Sequence, residues 1–145
     1  MTLPRRQRPK VLHFVTGGFS GAPQVAVDLV RAHRVAGRFD ALLVLRRKRT
    51  TLPERVRALQ ADGLRVELVP GWSHAATVWA LASLCRRFQP DILVAHGYSE
   101  HLWGRYAGLL AGVRHLVHVE HNSPGGHNAR RLVPARRLAR PGQAR

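Results

Sequence analysis

Apolar residues along this chain fall into short uninterrupted runs separated by stretches with helical spacing. Val11-Leu12-His13-Phe14-Val15 is the first run, and it stops at Gly17-Gly18. Ala22, Val25, Ala26, Leu29 and Val30 then mark one face of a helix. Ser20 is placed to cap that helix, and Pro23 is tolerated in its first turn. Ala41-Leu42-Leu43-Val44-Leu45 is a second run, followed by a helix over 52–61 that Gly63 closes. Residues 64–68 alternate, as a strand nearer a sheet edge would. Val78, Leu81, Ala82, Cys85 and Phe88 predict a third helix, halted near Gln89 by Pro90. Ile92-Leu93-Val94-Ala95 forms a fourth strand ending at His96-Gly97. Ser99 then caps a helix carrying Leu102, Tyr106, Leu109 and Leu110, with Gly112 after it, and residues 115–120 make a fifth strand.

Strands that are apolar throughout have no face to show to water, so they belong in a parallel sheet covered on both sides. Right-handed crossovers make such a sheet doubly wound. The predicted fold class is therefore α/β, a Rossmann-like doubly wound parallel sheet of about five strands with the order 3-2-1-4-5. This body occupies 10–128, after a basic extension over 1–9. Residues 129–145 differ: they are rich in arginine, lack acids and carry Pro134 and Pro141. They are expected to be disordered or to form a short cationic helix. No fixed-period repeat is present.

Composition adds limits. The 145 residues allow one domain, and a hydrophobic fraction of 45% allows it a core. No apolar run approaches the roughly 20 residues that span a bilayer, and the run after the basic start is too short for a signal peptide. The lone Cys85 has no intramolecular disulfide partner and sits in an apolar helical pattern, so a cytoplasmic protein with a packed thiol is expected. The net charge of +16 is unusual, and lysine appears only at Lys10 and Lys48. It favours polyanions such as phosphorylated metabolites, anionic lipid or nucleic acid. A genome-wide preference for arginine explains it as readily. Aromatics are scarce in the basic stretches, which counts against nucleic acid as a partner.

In an open parallel sheet, ligands bind beyond the carboxyl ends of the strands, near the reversal of strand order. Three loops qualify, over 16–21, 96–100 and 120–128, and all are rich in Gly, His, Ser or Asn. Gly17, Gly18 and Gly21 lead into a helix N-terminus, where backbone N–H groups and the helix dipole favour a phosphate or diphosphate. A ligand-free tight turn is the plain alternative. Against the dinucleotide fingerprint, Thr16 stands where the first glycine belongs, and Arg46-Arg47 ends strand two in place of an acid. Those arginines suit a 2′-phosphate and keep an NADP-binding reading open. His96 and His121 each follow a buried strand at the ligand edge, whereas His13 and His118 lie within strands and read as structural. His118-Val119-Glu120 lacks the cysteine pair of a zinc deaminase. A zinc site from His118, His121 and His127 is disfavoured because alternation turns the first two apart. Ser99, Glu100 and His101 have no nucleophile elbow, which disfavours hydrolase chemistry.

Three stretches carry a family likeness. The segment 11–21 with its following helix resembles the opening of family-4-type retaining glycosyltransferases. Gln89-Pro90-Asp91-Ile92-Leu93-Val94-Ala95-His96-Gly97 resembles that family's fourth-strand signature, and residues 112–122, ending Glu120-His121-Asn122, resemble its fifth strand and trailing histidine. The resemblance implies a GT-B enzyme of two Rossmann-like domains, of which this is the N-terminal, acceptor-side one. It implies a nucleotide-sugar donor as substrate, no metal and no other cofactor, and a glycan or lipid-linked acceptor in cell-envelope or other glycan synthesis. On this chain His121 becomes the catalytic residue near the transferred sugar. Gly17, Gly18 and Gly21 approach the donor diphosphate, and His96, Ser99 and Glu100 line the acceptor side.

Two departures matter. Ala22-Pro23 stands where the family has Ala-Glu, and the donor-binding half with its paired glutamates is missing. The arginine-rich tail resembles the product of a truncated gene. Little activity alone is expected, with a separate donor-domain polypeptide as one partner and peripheral contact with the inner membrane face as another. An uncovered fifth-strand edge at Leu116, Val117 and Val119 predicts aggregation or dependence on a partner. A basic binding module for nucleic acid or anionic membrane, gripping through its tail, is the alternative from another class.

Overall fold

The computed structural model describes residues 8–18 and 21–120, the side chains of Tyr98, Ser99 and His101 excepted. The elements alternate as β1 (Lys10–Thr16), α1 (Ala22–Ala36), β2 (Asp40–Arg46), α2 (Pro53–Ala61), β3 (Val66–Val69), α3 (His74–Phe88), β4 (Ile92–His96), α4 (Tyr98–Ala111) and β5 (His115–Val119). All strand pairs are parallel, in the order β3-β2-β1-β4-β5. This is the doubly wound Rossmann-like sheet that the apolar runs predict.

Alternation along the strands sorts the core into two layers. Val15, Leu43, Leu45 and Val66 meet α1 and α2 through Ala26, Val27, Val30, Val56 and Leu59. Leu12, Phe14, Leu42, Val44 and Leu93 turn to the other face, against Leu81, Cys85, Trp103 and Ala107 of α3 and α4. Cys85 is packed in that second layer, and burial pushes its thiol up to about 12. The helix α4 lies close on the sheet, since a Cβ on Gly108 would collide with the Leu116 side chain. Leu116 is thereby buried, while Val117 and Val119 are half-buried. Segments 1–7 and 121–145, with the arginine-rich tail and any cover it gives β5, lie outside the described residues.

Helix starts differ from expectation at two places. The N-cap of α1 is Gly21, at φ 61 and with no side-chain cap bond; Ser20 lies outside the described residues. Pro23 does fall in the first turn. The α4 helix begins at Tyr98 after Gly97, so Ser99 sits inside the first turn rather than capping it. Ser73, which the periodicity does not reveal, caps α3 by accepting from Ala76 N at 3.0 Å.

Candidate functional site

The sheet changes direction between β1 and β4, and the crevice of an open α/β fold lies beyond the strand ends there. Two turns meet at this point. After β1, Gly17 donates its N–H to Arg46 O at 2.8 Å and accepts from Thr51 Oγ1 at 3.2 Å. A Cβ on Gly17 would run into Thr51 Oγ1 and the Arg46 carbonyl. Its glycine is required by the packing of the β2–α2 loop, and its amide is already engaged. This corrects the expectation that Gly17 offers a backbone amide to a diphosphate. Gly18 has open space around a Cβ position, and Gly21 leads into α1 with a positive φ. Among the described residues, Thr16 Oγ1 is buried at the end of β1 without a hydrogen-bond partner.

After β4, Gly97 turns at φ 103, a conformation that favours glycine. Its N–H donates to Val119 O at 3.0 Å, and its carbonyl accepts from His118 Nε2 at 3.1 Å. His118 therefore carries its proton on Nε2 and holds this turn in place. The Glu100 carboxylate folds back over Gly97, with Oε2 2.8 Å from where a Cβ would stand. Glu100 is buried, and burial raises its carboxyl above the ordinary range. Its own backbone N–H and the charges of Lys48 and Arg46 pull the other way.

His96 does not line a surface. Alternation along β4 points it to the α1 face, where it is fully buried. Its Nε2 stands 2.9 Å from His13 Nδ1, and the His13 ring stacks on His33 with centroids 5.3 Å apart. The expected acceptor-side role for the His96 ring is corrected accordingly: the ring is sealed inside. His13 is held neutral, its pKa lowered to about 3 by burial and then by His96 and His33. His13 Nε2 has no partner among the described residues. An orphan acceptor costs less than an orphan buried N–H, so the favoured tautomer has His13 Nδ1–H donating to His96.

On the opposite face, alternation along β2 places Arg46 with Leu42 and Val44. Its Nη2 donates to Gly71 O at 2.9 Å and its Nε to Thr77 Oγ1 at 3.3 Å, while the guanidinium stacks 4.0 Å over the Trp103 ring. Arg46 thus ties the ends of β2 and β3 to α3 and α4. This engagement tells against a free arginine fork for an NADP 2′-phosphate. Sequence reasoning placed Arg46 at the edge but missed its partners, which lie 25 to 57 positions away. The side chain of Ser99 and all of His121 lie outside the described residues. Among those described, no group of three or more His, Cys, Asp or Glu side chains could hold a metal, and no helix is long and apolar enough to cross a membrane.

No protein-family model matches the chain, and no curated protein does. Solved structures do. HepE from Anabaena, in complex with UDP and glucose, aligns at a TM-score of 0.73 and 21% identity, covering 94% of this chain and 36% of that one. The lipopolysaccharide outer core galactosyltransferase WaaB gives 0.65 at 12% identity, over 82% of this chain and 35% of that one. MurG from Acinetobacter baumannii gives 0.59 at 15% identity, over 90% and 39%. A UDP-N-acetylglucosamine 2-epimerase is similar as well, at 0.63 and 18% identity, over 94% and 40%. The fold is the Rossmann-like one of GT-B glycosyltransferases and epimerases. This Rossmann-like chain spans somewhat over a third of the length of the structures it matches.

Proposed function

We propose that this chain is the acceptor-side domain of a retaining, nucleotide-sugar-dependent glycosyltransferase of the family-4 type, working in cell-envelope or other glycan synthesis. The observation that carries the reading is the meeting of two glycine turns at the β1–β4 reversal, with the unpartnered Thr16 hydroxyl and the buried Glu100 beside them. Transfer breaks the bond from the sugar's anomeric carbon to a diphosphate oxygen and forms one to an acceptor hydroxyl oxygen, whose proton passes to the departing diphosphate. Charge grows on the departing diphosphate. The amides of Gly18 and Gly21 at the α1 N-terminus would stabilise it. Glu100, its carboxyl raised above the ordinary range by burial, would hydrogen-bond the acceptor. His121 would contact the transferred sugar, and no metal or other cofactor is invoked.

Opposing groups come from a donor-binding domain, and half a cleft supplies only part of the stabilisation. Little activity is therefore proposed for the acceptor-side domain by itself. A cytoplasmic location, with peripheral contact at the inner membrane face, fits the charge and a lipid-linked acceptor.

Thermal-shift titrations with UDP-glucose, UDP-N-acetylglucosamine and NADP test the reading. Stabilisation by a UDP-sugar that Gly18→Val abolishes supports it, because a Cβ at Gly18 meets nothing and the fold tolerates the change. Stabilisation by NADP alone would overturn it.

A further inference from the structure

A cleft of about 1050 Å³ lies beside this crevice, between the loops that follow β2 and β3. Arg46, Arg47, Lys48 and Arg49 line one wall, and Pro70, Gly71 and Trp72 line the other. No carboxylate is among the lining residues. Arg47 and Arg49 form no ion pair among the described residues, and Lys48 faces Glu100. Four consecutive cations, of which Arg46 and Lys48 bear on Glu100 while Arg47 and Arg49 do not, make a positive wall.

The walls are built rather than loose. Arg47 N donates to Val69 O at 2.9 Å, and Lys48 N donates to Thr51 Oγ1 at 2.8 Å. A Cβ on Gly71 would strike the Arg47 carbonyl, so the two loops touch backbone to backbone. Against this fixed floor Trp72 stands 82% exposed. A bare indole beside arginines offers two complementary surfaces. The ring presents an apolar face for a sugar's C–H groups, and the guanidinium forks match phosphate oxygens.

We infer that this cleft is an acceptor subsite for a phosphate-bearing sugar, with the phosphate on Arg47 and Arg49 and the sugar ring on Trp72. The inference rests on the glycosyltransferase reading and deepens it by naming the acceptor's chemistry. Continuity supports it: Thr51 of the cleft loop bonds Gly17, and Lys48 bears on Glu100, so one acceptor spans both sites.

The test is calorimetric titration of the full chain with glucose 6-phosphate, with glucose, inorganic phosphate and phosphatidylglycerol vesicles as the other arms. Glucose 6-phosphate is expected to bind more tightly than either part alone and to weaken as salt rises. The double variant Arg47→Ala/Arg49→Ala weakens it about tenfold, from two exposed charge contacts. Trp72→Ala reduces its affinity to that of inorganic phosphate, whereas Trp79→Ala, exposed outside the cleft, changes nothing. Equal affinity for glucose, or indifference to the double variant, overturns the inference. So does binding to vesicles alone, which would assign the cations to lipid headgroups. UDP-sugar stabilisation sensitive to Gly18→Val is read independently. If it persists while glucose 6-phosphate fails, the subsite falls and the glycosyltransferase reading stands. If it fails while glucose 6-phosphate binds, the glycosyltransferase reading falls, and with it the acceptor role, leaving a sugar-phosphate site.

Discussion

The two faces of the sheet treat polar groups at the same edge in opposite ways. On the α1 face, His13 and His96 are buried against each other and His13 is held neutral. On the α3/α4 face, Arg46 stacks on Trp103 and donates to two oxygens, and it lines the cationic cleft. A low-dielectric environment explains the contrast. A histidine that loses its water sheds its proton, whereas a guanidinium cannot and must find acceptors or an aromatic face. One face therefore stabilises the seam between β1 and β4, and the other keeps charge at the wall of the cleft.

The turn that joins these faces is the most sensitive point. Gly17→Ala is expected to cost ~3 kcal/mol, because backbone atoms of Arg46 cannot yield as a side chain would. Gly18→Ala should stay within about 0.5 kcal/mol. Urea unfolding of the pair checks this, and equal effects would dissolve the distinction between a packing glycine and an unconfined one.

Acid comes next. The folded pKa of His13 is lowered to about 3, so below its ordinary value the unfolded chain takes up a proton that the fold refuses. Stability is then fully present above about pH 6.5 and falls by about 1.4 kcal/mol per pH unit as pH drops toward 3. His13→Leu should flatten that slope while costing ~1–3 kcal/mol at pH 7, since His96 loses its partner. Denaturation midpoints between pH 4 and 8 measure both, and an unchanged slope would remove His13 from the account.

On the charged face, Arg46→Lys should cost about 1–2 kcal/mol despite keeping the charge, because an ammonium cannot both stack on Trp103 and reach Gly71 O and Thr77. A thermal melt unaffected by the change would show that charge alone matters there. Glu100→Gln is expected to have the smallest effect, a stabilisation below about 1 kcal/mol at pH 8 that shrinks toward pH 4. The sign follows from the raised carboxyl pKa: the charged form is the disfavoured one in the fold, and it prevails only at higher pH. Destabilisation at pH 8 would mean that Lys48 and Arg46 outweigh burial.

Much of the architecture was legible in one dimension. Apolar runs at β1, β2 and β4 forecast buried parallel strands, and Gly63, Pro90 and Gly112 fall just after helices end. Helix starts were harder to read, because Gly21 and Gly97 cap through backbone conformation rather than a side-chain signature. The surroundings of the residues at the candidate edge were not legible in the same way. His96 stood out as a strand-ending histidine, and nothing local says that the face it points to is closed. His13, read as merely structural, is its hydrogen-bond partner 83 positions earlier.

What the sequence determined by itself was the periodicity, hence the element types and their order. These are near-neighbour properties, fixed by side-chain spacing along a helix or strand. Only the tertiary structure decided that Gly17 is demanded by Thr51 and Arg46, that His96 is sealed against His13, and that Arg46 rests on Trp103. Each of those contacts depends on which face a distant residue reaches once the sheet has wound, and that is set by packing rather than by neighbours in the chain.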